Sequence, residues 1–78
     1  MPPIYQNTND NSKIEYISKE EHKIKIDPKG KQSKIKLDDP ILNFKYIEAI
    51  TKKGEITFKY SDFQKLVKQK MFKKIKWQ

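Results

Sequence analysis

The sequence predicts a small α+β domain: an antiparallel sheet of four to five strands, formed as two hairpins and followed by one C-terminal helix packed on one face. Three observations support this prediction. Apolar and polar residues alternate along several segments before Ser61, which is the pattern of half-buried strands. Turn-forming residues separate these segments. After Ser61 the apolar residues recur at helical spacing instead.

The first predicted hairpin covers residues 23–37. Its two segments, HKIKID and KIKLD, each alternate lysine with isoleucine or leucine, so we expect a lysine-bearing outer face and an apolar face against the core. The DPKGK sequence between them fits a type I turn that begins at Asp27 and closes at Gly30. An earlier segment, KIEYIS, predicts another strand, although Ile17 breaks its alternation. Pro40 is expected to end the second strand of the hairpin.

The second predicted hairpin joins FKYIEAI to EITFKY through a TKKG turn, in which Gly54 can take a positive φ. A helix over residues 61–71 follows, because SDFQ is a capping box in which Ser61 and Gln64 bond each other's backbone amides. Its apolar stripe is expected to pack on the sheet and consists of Phe63, Leu66, Val67, Met71 and Ile75. Further aromatic residues expected in the core are Phe44, Tyr46, Phe58 and Tyr60, whereas Tyr16 could lie inside or outside it.

The end of the chain departs from the helical pattern. Phe72 falls opposite Phe63 on a helical wheel, among lysines, so it is expected outside the core. The KIKW sequence alternates again and predicts a short extended segment. We expect Trp77 to pack back on the domain and anchor that segment, with stacking on a ligand as the alternative.

Residues 1–12 contain two prolines and three asparagines and almost no apolar periodicity. They predict a flexible N-terminal tail, with residues 13–78 forming the single domain. PPIY within this tail matches a short pattern that WW-type domains bind as polyproline II. A plain disordered leader is the favoured interpretation.

Charge is the strongest functional signal. All 18 basic residues are lysines and the formal net charge is +8, which attracts polyanions such as nucleic acid, anionic lipid or an acidic protein. A solvated surface enriched by an AT-rich genome is the alternative explanation. Lysine binds phosphate as a point charge and lacks the guanidinium fork that reads guanine. The composition therefore predicts sequence-tolerant binding.

Catalytic and metal-binding patterns are missing from the sequence. There is no cysteine, only two glycines and one histidine, His22, which follows Glu20 and Glu21 without metal-ligand spacing. We predict that the protein is not an enzyme and needs no cofactor. A metal-independent ribonuclease using His22, a lysine and a tyrosine is the enzymatic alternative. With no apolar leader and no apolar run long enough to span a bilayer, the sequence predicts a cytoplasmic protein without stable membrane insertion.

The leading hypothesis is a basic, lysine-rich module that binds single-stranded DNA or RNA with low sequence specificity, combining lysine electrostatics with aromatic stacking. The candidate contact residues are Lys23, Lys25, Lys34, Lys36, Lys65, Lys68, Lys73, Lys74, Lys76, Phe72 and Trp77. Of the aromatic residues, only Phe72 and Trp77 are candidate external stackers. The alternative is a protein-interaction module, such as an inhibitor or accessory factor of phage or plasmid origin, that docks on an acidic surface. A basic membrane-surface binder is a further alternative.

The stretch KKGEITFKYSDFQKL resembles the PUR-type binders of single-stranded nucleic acid, in which a curved sheet ends in a helix that opens on a serine or threonine, an acid and an aromatic residue. The resemblance covers residues 52–66, and the loop before it is shorter than in that family. It implies a curved sheet, single-stranded nucleic acid as the ligand, and a homodimer that covers the sheet edges.

Overall fold

The computed structural model describes the backbone of residues 2–77 and the side chains of residues 2–75. Its elements are β1 (Pro3–Asn7), β2 (Lys13–Ile26), β3 (Gln32–Glu48), β4 (Glu55–Lys59), α1 (Tyr60–Lys68) and β5 (Phe72–Trp77). The strands form one antiparallel sheet in the order β4-β3-β2-β1-β5. The helix contacts β3, β4 and β5. The predicted class, a small α+β fold with a helix on one face of an antiparallel sheet, is confirmed.

The strands are assembled differently from the prediction. The KIEYIS and HKIKI segments form one continuous strand, β2, and the segments on either side of Pro40 form one continuous strand, β3. The pairing of β2 with β3 shifts register between Tyr16 and Ser18, where Ile17 breaks the alternation, and again between Glu20 and His22. Pro40 lies in the second irregular stretch, where no regular ladder bond requires its missing N–H. It therefore does not end β3.

The N-terminal residues form a strand rather than the expected flexible tail. β1 lies between β2 and β5 and pairs with both. Ile4 is 2% exposed, and Tyr5 packs against the buried core. A strand this short carries too little alternation to be recognised from sequence, and its partners on both sides supply its order. Most of the PPIY sequence is consequently part of the sheet and is not a free polyproline segment.

The sheet curls into a half-barrel around an aromatic core. Phe58 and Phe72 belong to the strands at opposite edges of the sheet, yet their ring centroids are 5.6 Å apart. Phe44 and Phe63 lie between them, with centroids 4.8 Å apart. The buried cluster comprises Ile14, Leu42, Phe44, Phe63 and Phe72. Phe44 and Phe58 thus confirm their predicted places in or against the core.

Helix α1 ends earlier than predicted, in a Schellman motif. Lys70 takes a left-handed conformation, with φ of 63°, and its amide donates to the carbonyl of Val67. The amide of Met71 donates to the carbonyl of Leu66 at 2.8 Å. These are the two hydrogen bonds that close a helix C-terminus. Met71 and Leu66 both pack partly buried against the core, as predicted.

Phe72 also lies in a different environment from the one predicted. The helical wheel places it on the solvent side, but the chain has already reversed at Lys70, and Phe72 opens β5. Its side chain is 8% exposed and packs against Phe58 and Phe63. The KIKW sequence is extended as predicted, within β5.

The start of α1 is stabilised by hydrogen bonds to strand β3. The predicted capping box does not form, because Lys59 occupies the N-cap position and makes no side-chain cap hydrogen bond. Instead, Ser61 donates its backbone N–H, at 3.1 Å, and its hydroxyl to the carboxylate of Asp39 on β3. These hydrogen bonds lower the pKa of Asp39. An acid here also complements the positive end of the helix dipole.

Candidate nucleic-acid interface

A two-stranded ribbon, residues 22–36, extends beyond the rest of the sheet, and we call it the arm. Its pairs run from His22 with Lys36 to Ile26 with Gln32. Within the described chain, β1 pairs only with residues 13–15 of β2, and β4 pairs only with residues 41–45 of β3. The arm therefore has no further strand of the described chain on either side. The molecule is correspondingly elongated, measuring 47 × 24 × 23 Å.

The turn of the arm forms as the sequence predicts. Gly30 donates its N–H to the carbonyl of Asp27 at 2.9 Å and has a φ of 82°. The Asp27 carboxylate accepts hydrogen bonds from the amides of Lys29 and Lys31. The Asp27 side chain therefore stabilises the turn, and its backbone N–H donates to the carbonyl of Lys31 to close the loop.

The register of the arm distributes lysine and isoleucine over both faces. Ile24 lies opposite Lys34, and Lys23 lies opposite Ile35. Since directly opposed residues of an antiparallel pair share a face, the isoleucines of the two strands point to opposite sides. Neither face is apolar throughout, so neither can be buried. The expected half-buried hairpin is thus wrong here, and Ile24 is 63% exposed.

The arm concentrates positive charge. Between His22 and Leu37 the chain has six lysines and one acid, Asp27, for a formal charge of +5. All six lysines are exposed, and no ion pair between described residues involves them; the pairs present join Lys13–Glu48, Lys19–Glu21, Lys45–Glu15 and Lys52–Asp10. The predicted contact residues Lys23, Lys25, Lys34 and Lys36 are thereby brought together on one projecting element.

The remaining predicted contact residues lie elsewhere. Lys65 and Lys68 are exposed on α1, and Lys73 and Lys74 are exposed on β5. Phe72 is buried, so its predicted role as an external stacker is wrong. The side chains of Lys76 and Trp77 lie outside the described residues, and the expected anchoring by Trp77 stays a prediction.

A groove between α1 and the sheet was not predicted from the sequence. Its volume is about 730 Å³, and it is lined by Pro3, Tyr5, Tyr16, Lys19, Leu42, Phe44, Tyr60, Phe63, Gln64, Val67 and Lys68. Tyr60 and Val67, both expected in the core, are each 37% exposed along it. Tyr60, Phe63 and Val67 follow one another at spacings of three and four residues, so one face of α1 forms one wall. That spacing is the sequence signal that could have marked this wall.

The groove brings a cation and tyrosine rings together. Lys19 Nζ lies 5.1 Å from the centroid of the Tyr60 ring, within the range of a cation–π contact. The Tyr5 ring meets the Phe63 ring edge-on at 4.9 Å. Burial, and to a smaller extent Tyr60, raises the pKa of the Tyr5 hydroxyl. Tyr5 therefore remains a neutral hydrogen-bond donor at neutral pH.

His22, the residue considered for an enzymatic role, is exposed on the arm. Among the described side chains, no group of three or more histidine, cysteine, aspartate or glutamate residues is placed to hold a metal ion. The described chain also contains no helix with the length and apolarity needed to cross a membrane.

No family model, curated protein or solved structure matches this chain. The resemblance to PUR-type binders therefore rests on residues 52–66 alone. In this structure that stretch forms the last hairpin strand and most of α1, as the resemblance implies, but β5 follows the helix.

Proposed function

We propose that the protein is a non-catalytic nucleic-acid-binding module of the cytoplasm, and that the arm supplies its main electrostatic contact. The observation that carries this proposal is the placement of Lys23, Lys25, Lys34 and Lys36 on an exposed ribbon with a formal charge of +5. A two-stranded ribbon is narrow enough to lie along a nucleic-acid groove or strand. Because its lysines lie on both faces, they can contact phosphates on either side of the ribbon.

The chemistry of the arm favours binding without sequence readout. Its cations are lysines, which attract phosphate as point charges and lack the planar fork of arginine that matches a base edge. Its apolar side chains, such as Ile24 and Ile35, offer no hydrogen bonds to bases. Affinity is accordingly expected to depend on the number of phosphates neutralised and to vary little with base sequence.

The test is a fluorescence-anisotropy titration with labelled DNA and RNA of about 20 nucleotides, single- and double-stranded, at several salt concentrations. The logarithm of the affinity should fall linearly with the logarithm of the salt concentration, with a slope of about −0.9 per duplex phosphate neutralised and about −0.7 per single-strand phosphate. An affinity that stays constant between about 50 mM and about 200 mM salt contradicts the proposal.

A matched pair of variants locates the contact. Replacing Lys34 and Lys36 with glutamine should weaken binding of every nucleic acid and reduce the salt slope by about 1 per lost contact. Replacing Lys53 and Lys59, which are exposed outside the arm, with glutamine changes the net charge equally and should have a much smaller effect. Equal losses in the two variants would assign binding to overall charge and remove the arm from the proposal.

A protein partner is the second candidate function, and the exposed isoleucines of the arm favour it. Ile24 and Ile26 are each 63% exposed, and the outer backbone edges of the arm pair with no other strand of the described chain. An acidic, extended segment of another protein could add a strand there. Salt-insensitive nucleic-acid binding that is unaffected by the Lys34 and Lys36 substitutions would favour this alternative.

A further inference from the structure

The groove is open to solvent beside the base of the arm. Tyr16 and Lys19 of β2 line it, and the arm begins a few residues further along the same strand. Tyr60 and Lys68 line it from α1. A ligand that follows the lysines of the arm toward the body of the protein therefore reaches the groove next.

The lining combines aromatic rings with unused hydroxyl groups. Between described residues, no hydrogen bond uses the hydroxyl of Tyr5, Tyr16 or Tyr60. The Tyr16 ring is held by an edge contact with Phe44, at 5.9 Å between centroids. A flat, polar-edged ligand can stack on such rings and accept hydrogen bonds from the free hydroxyls. A purely aliphatic ligand would leave those hydroxyls without partners.

The charged side chains among the described lining residues are both lysines. Among the described residues that line the groove, Lys19, Lys68 and the tyrosines are the only ionisable ones, and none is an acid. Lys19 pairs with Glu21 at 3.4 Å, but both side chains are exposed, at 39% and 54%. An exposed ion pair of this kind contributes little to stability, so Lys19 can exchange Glu21 for an anion that binds it more strongly. The groove is thus complementary to a ligand that is flat, polar-edged and joined to negative charge.

We propose that the groove receives one or more unstacked bases of a single-stranded nucleic acid, with Tyr16 and Tyr60 contacting the bases and Lys19 and Lys68 contacting the flanking phosphates. This proposal rests on the proposed function and adds a preference for single strands. Bases in a duplex remain stacked and cannot enter, whereas unpaired bases stack on aromatic side chains at little cost. Tyr16 and Tyr60 thus replace Phe72 as the candidate stacking residues, because Phe72 is buried.

The test compares Tyr60→Ala with the wild-type protein on an oligothymidylate of about 20 nucleotides and on a hairpin duplex at one salt concentration. The wild type should prefer the single strand. Tyr60→Ala should lose about 5-fold to about 150-fold in single-strand affinity, because stacking contributes about 1–3 kcal/mol per base. Its duplex affinity should not change. Tyr60→Phe should retain most of the single-strand affinity, since it keeps the ring.

Ile50→Ala is the control, because Ile50 is 97% exposed and lies outside the groove. One outcome would overturn the groove proposal alone. In it, the wild type binds both nucleic acids equally, Tyr60→Ala leaves the affinity unchanged, and the Lys34 and Lys36 variant loses it. The proposed function would then still hold. Binding of neither nucleic acid overturns both. Dodecanoate binding that Tyr60→Ala removes, with oligonucleotide affinity unchanged, would overturn the groove proposal by assigning the groove to an anionic amphiphile.

Discussion

Among the individual residues, Asp39 couples β3 to the start of α1. Its carboxylate accepts both hydrogen bonds from Ser61, whereas the neighbouring Asp38 makes no such contact with the described residues. Asp39→Ala should therefore lower the thermal midpoint more than Asp38→Ala, which removes the same charge. Circular dichroism melts of the two variants measure the difference. Equal midpoints would mean that the contact with Ser61 contributes nothing to stability.

The same contact predicts a pH dependence. Hydrogen bonds from Ser61 lower the pKa of Asp39 from its ordinary 3.8. A carboxyl whose folded pKa is lowered stabilises the protein above its unfolded pKa, and that contribution is lost as the pH falls through the folded pKa. Acidification below 3.8 should therefore narrow the gap in midpoint between the wild type and Asp39→Ala. A gap that stays constant on acidification contradicts this assignment.

Lys70 is a residue whose backbone conformation suits glycine. It holds a φ of 63° at the position that follows the helix C-cap, where a side chain costs about 1–2 kcal/mol relative to glycine. Glycine adds unfolded-state entropy of about 0.4–1 kcal/mol, which offsets part of this gain. Lys70→Gly should stabilise the protein by up to about 1 kcal/mol in urea denaturation. Lys70→Ala, which removes the charge and keeps the strain, is its control.

Among the elements, α1 is held to the sheet mainly by the side chains that face the core. Leu66 is partly buried and packs against the core cluster, so Leu66→Ala should cost about 2 kcal/mol, the lower end for a core truncation. Val67→Ala should cost less, because Val67 is 37% exposed along the groove. Urea denaturation of both variants checks the order. The reverse order would mean that the groove wall, and not the Leu66 side, holds the helix.

The arm shows how register decides the role of an element. Its alternating lysines and isoleucines are typical of a half-buried strand, and the pattern is as regular as that of EITFKY. The turn over residues 27–31 sets the register so that Ile24 lies opposite Lys34. A shift of the register by one residue would move every side chain of one strand to the other face of the ribbon. The arm consequently remains exposed, while β4 has Ile56 and Phe58 packed against the core.

In the molecule as a whole, β1 is an interior strand of a small half-barrel. It lies between β2 and β5, and its removal would expose two strand edges and part of the aromatic core. Deleting residues 2–7 should therefore abolish cooperative unfolding, in contrast to the loss of a flexible tail. A shortened chain that melts cooperatively near the wild-type midpoint would contradict this role for β1.

The local features of this protein can be predicted from short stretches of its sequence. Alternation and turn residues predict the sheet segments and the turn at Asp27 and Gly30, and the helical spacing of Phe63 and Leu66 predicts α1. These features follow from interactions between residues close together in the chain, so short patterns record them. The positive charge of the candidate interface likewise follows from the lysine excess alone.

Long-range packing decides which segments share a strand, which faces are buried and where the groove lies. β1 depends on partners far along the chain, and Phe72 is buried because the chain reverses at Lys70 and brings it against Phe58, which lies on the strand at the opposite edge of the sheet. Tyr60 lines a groove because one face of α1 stands apart from the residues of β1 to β3 opposite it. Such outcomes depend on register and tertiary contacts, which single-sequence periodicity does not encode.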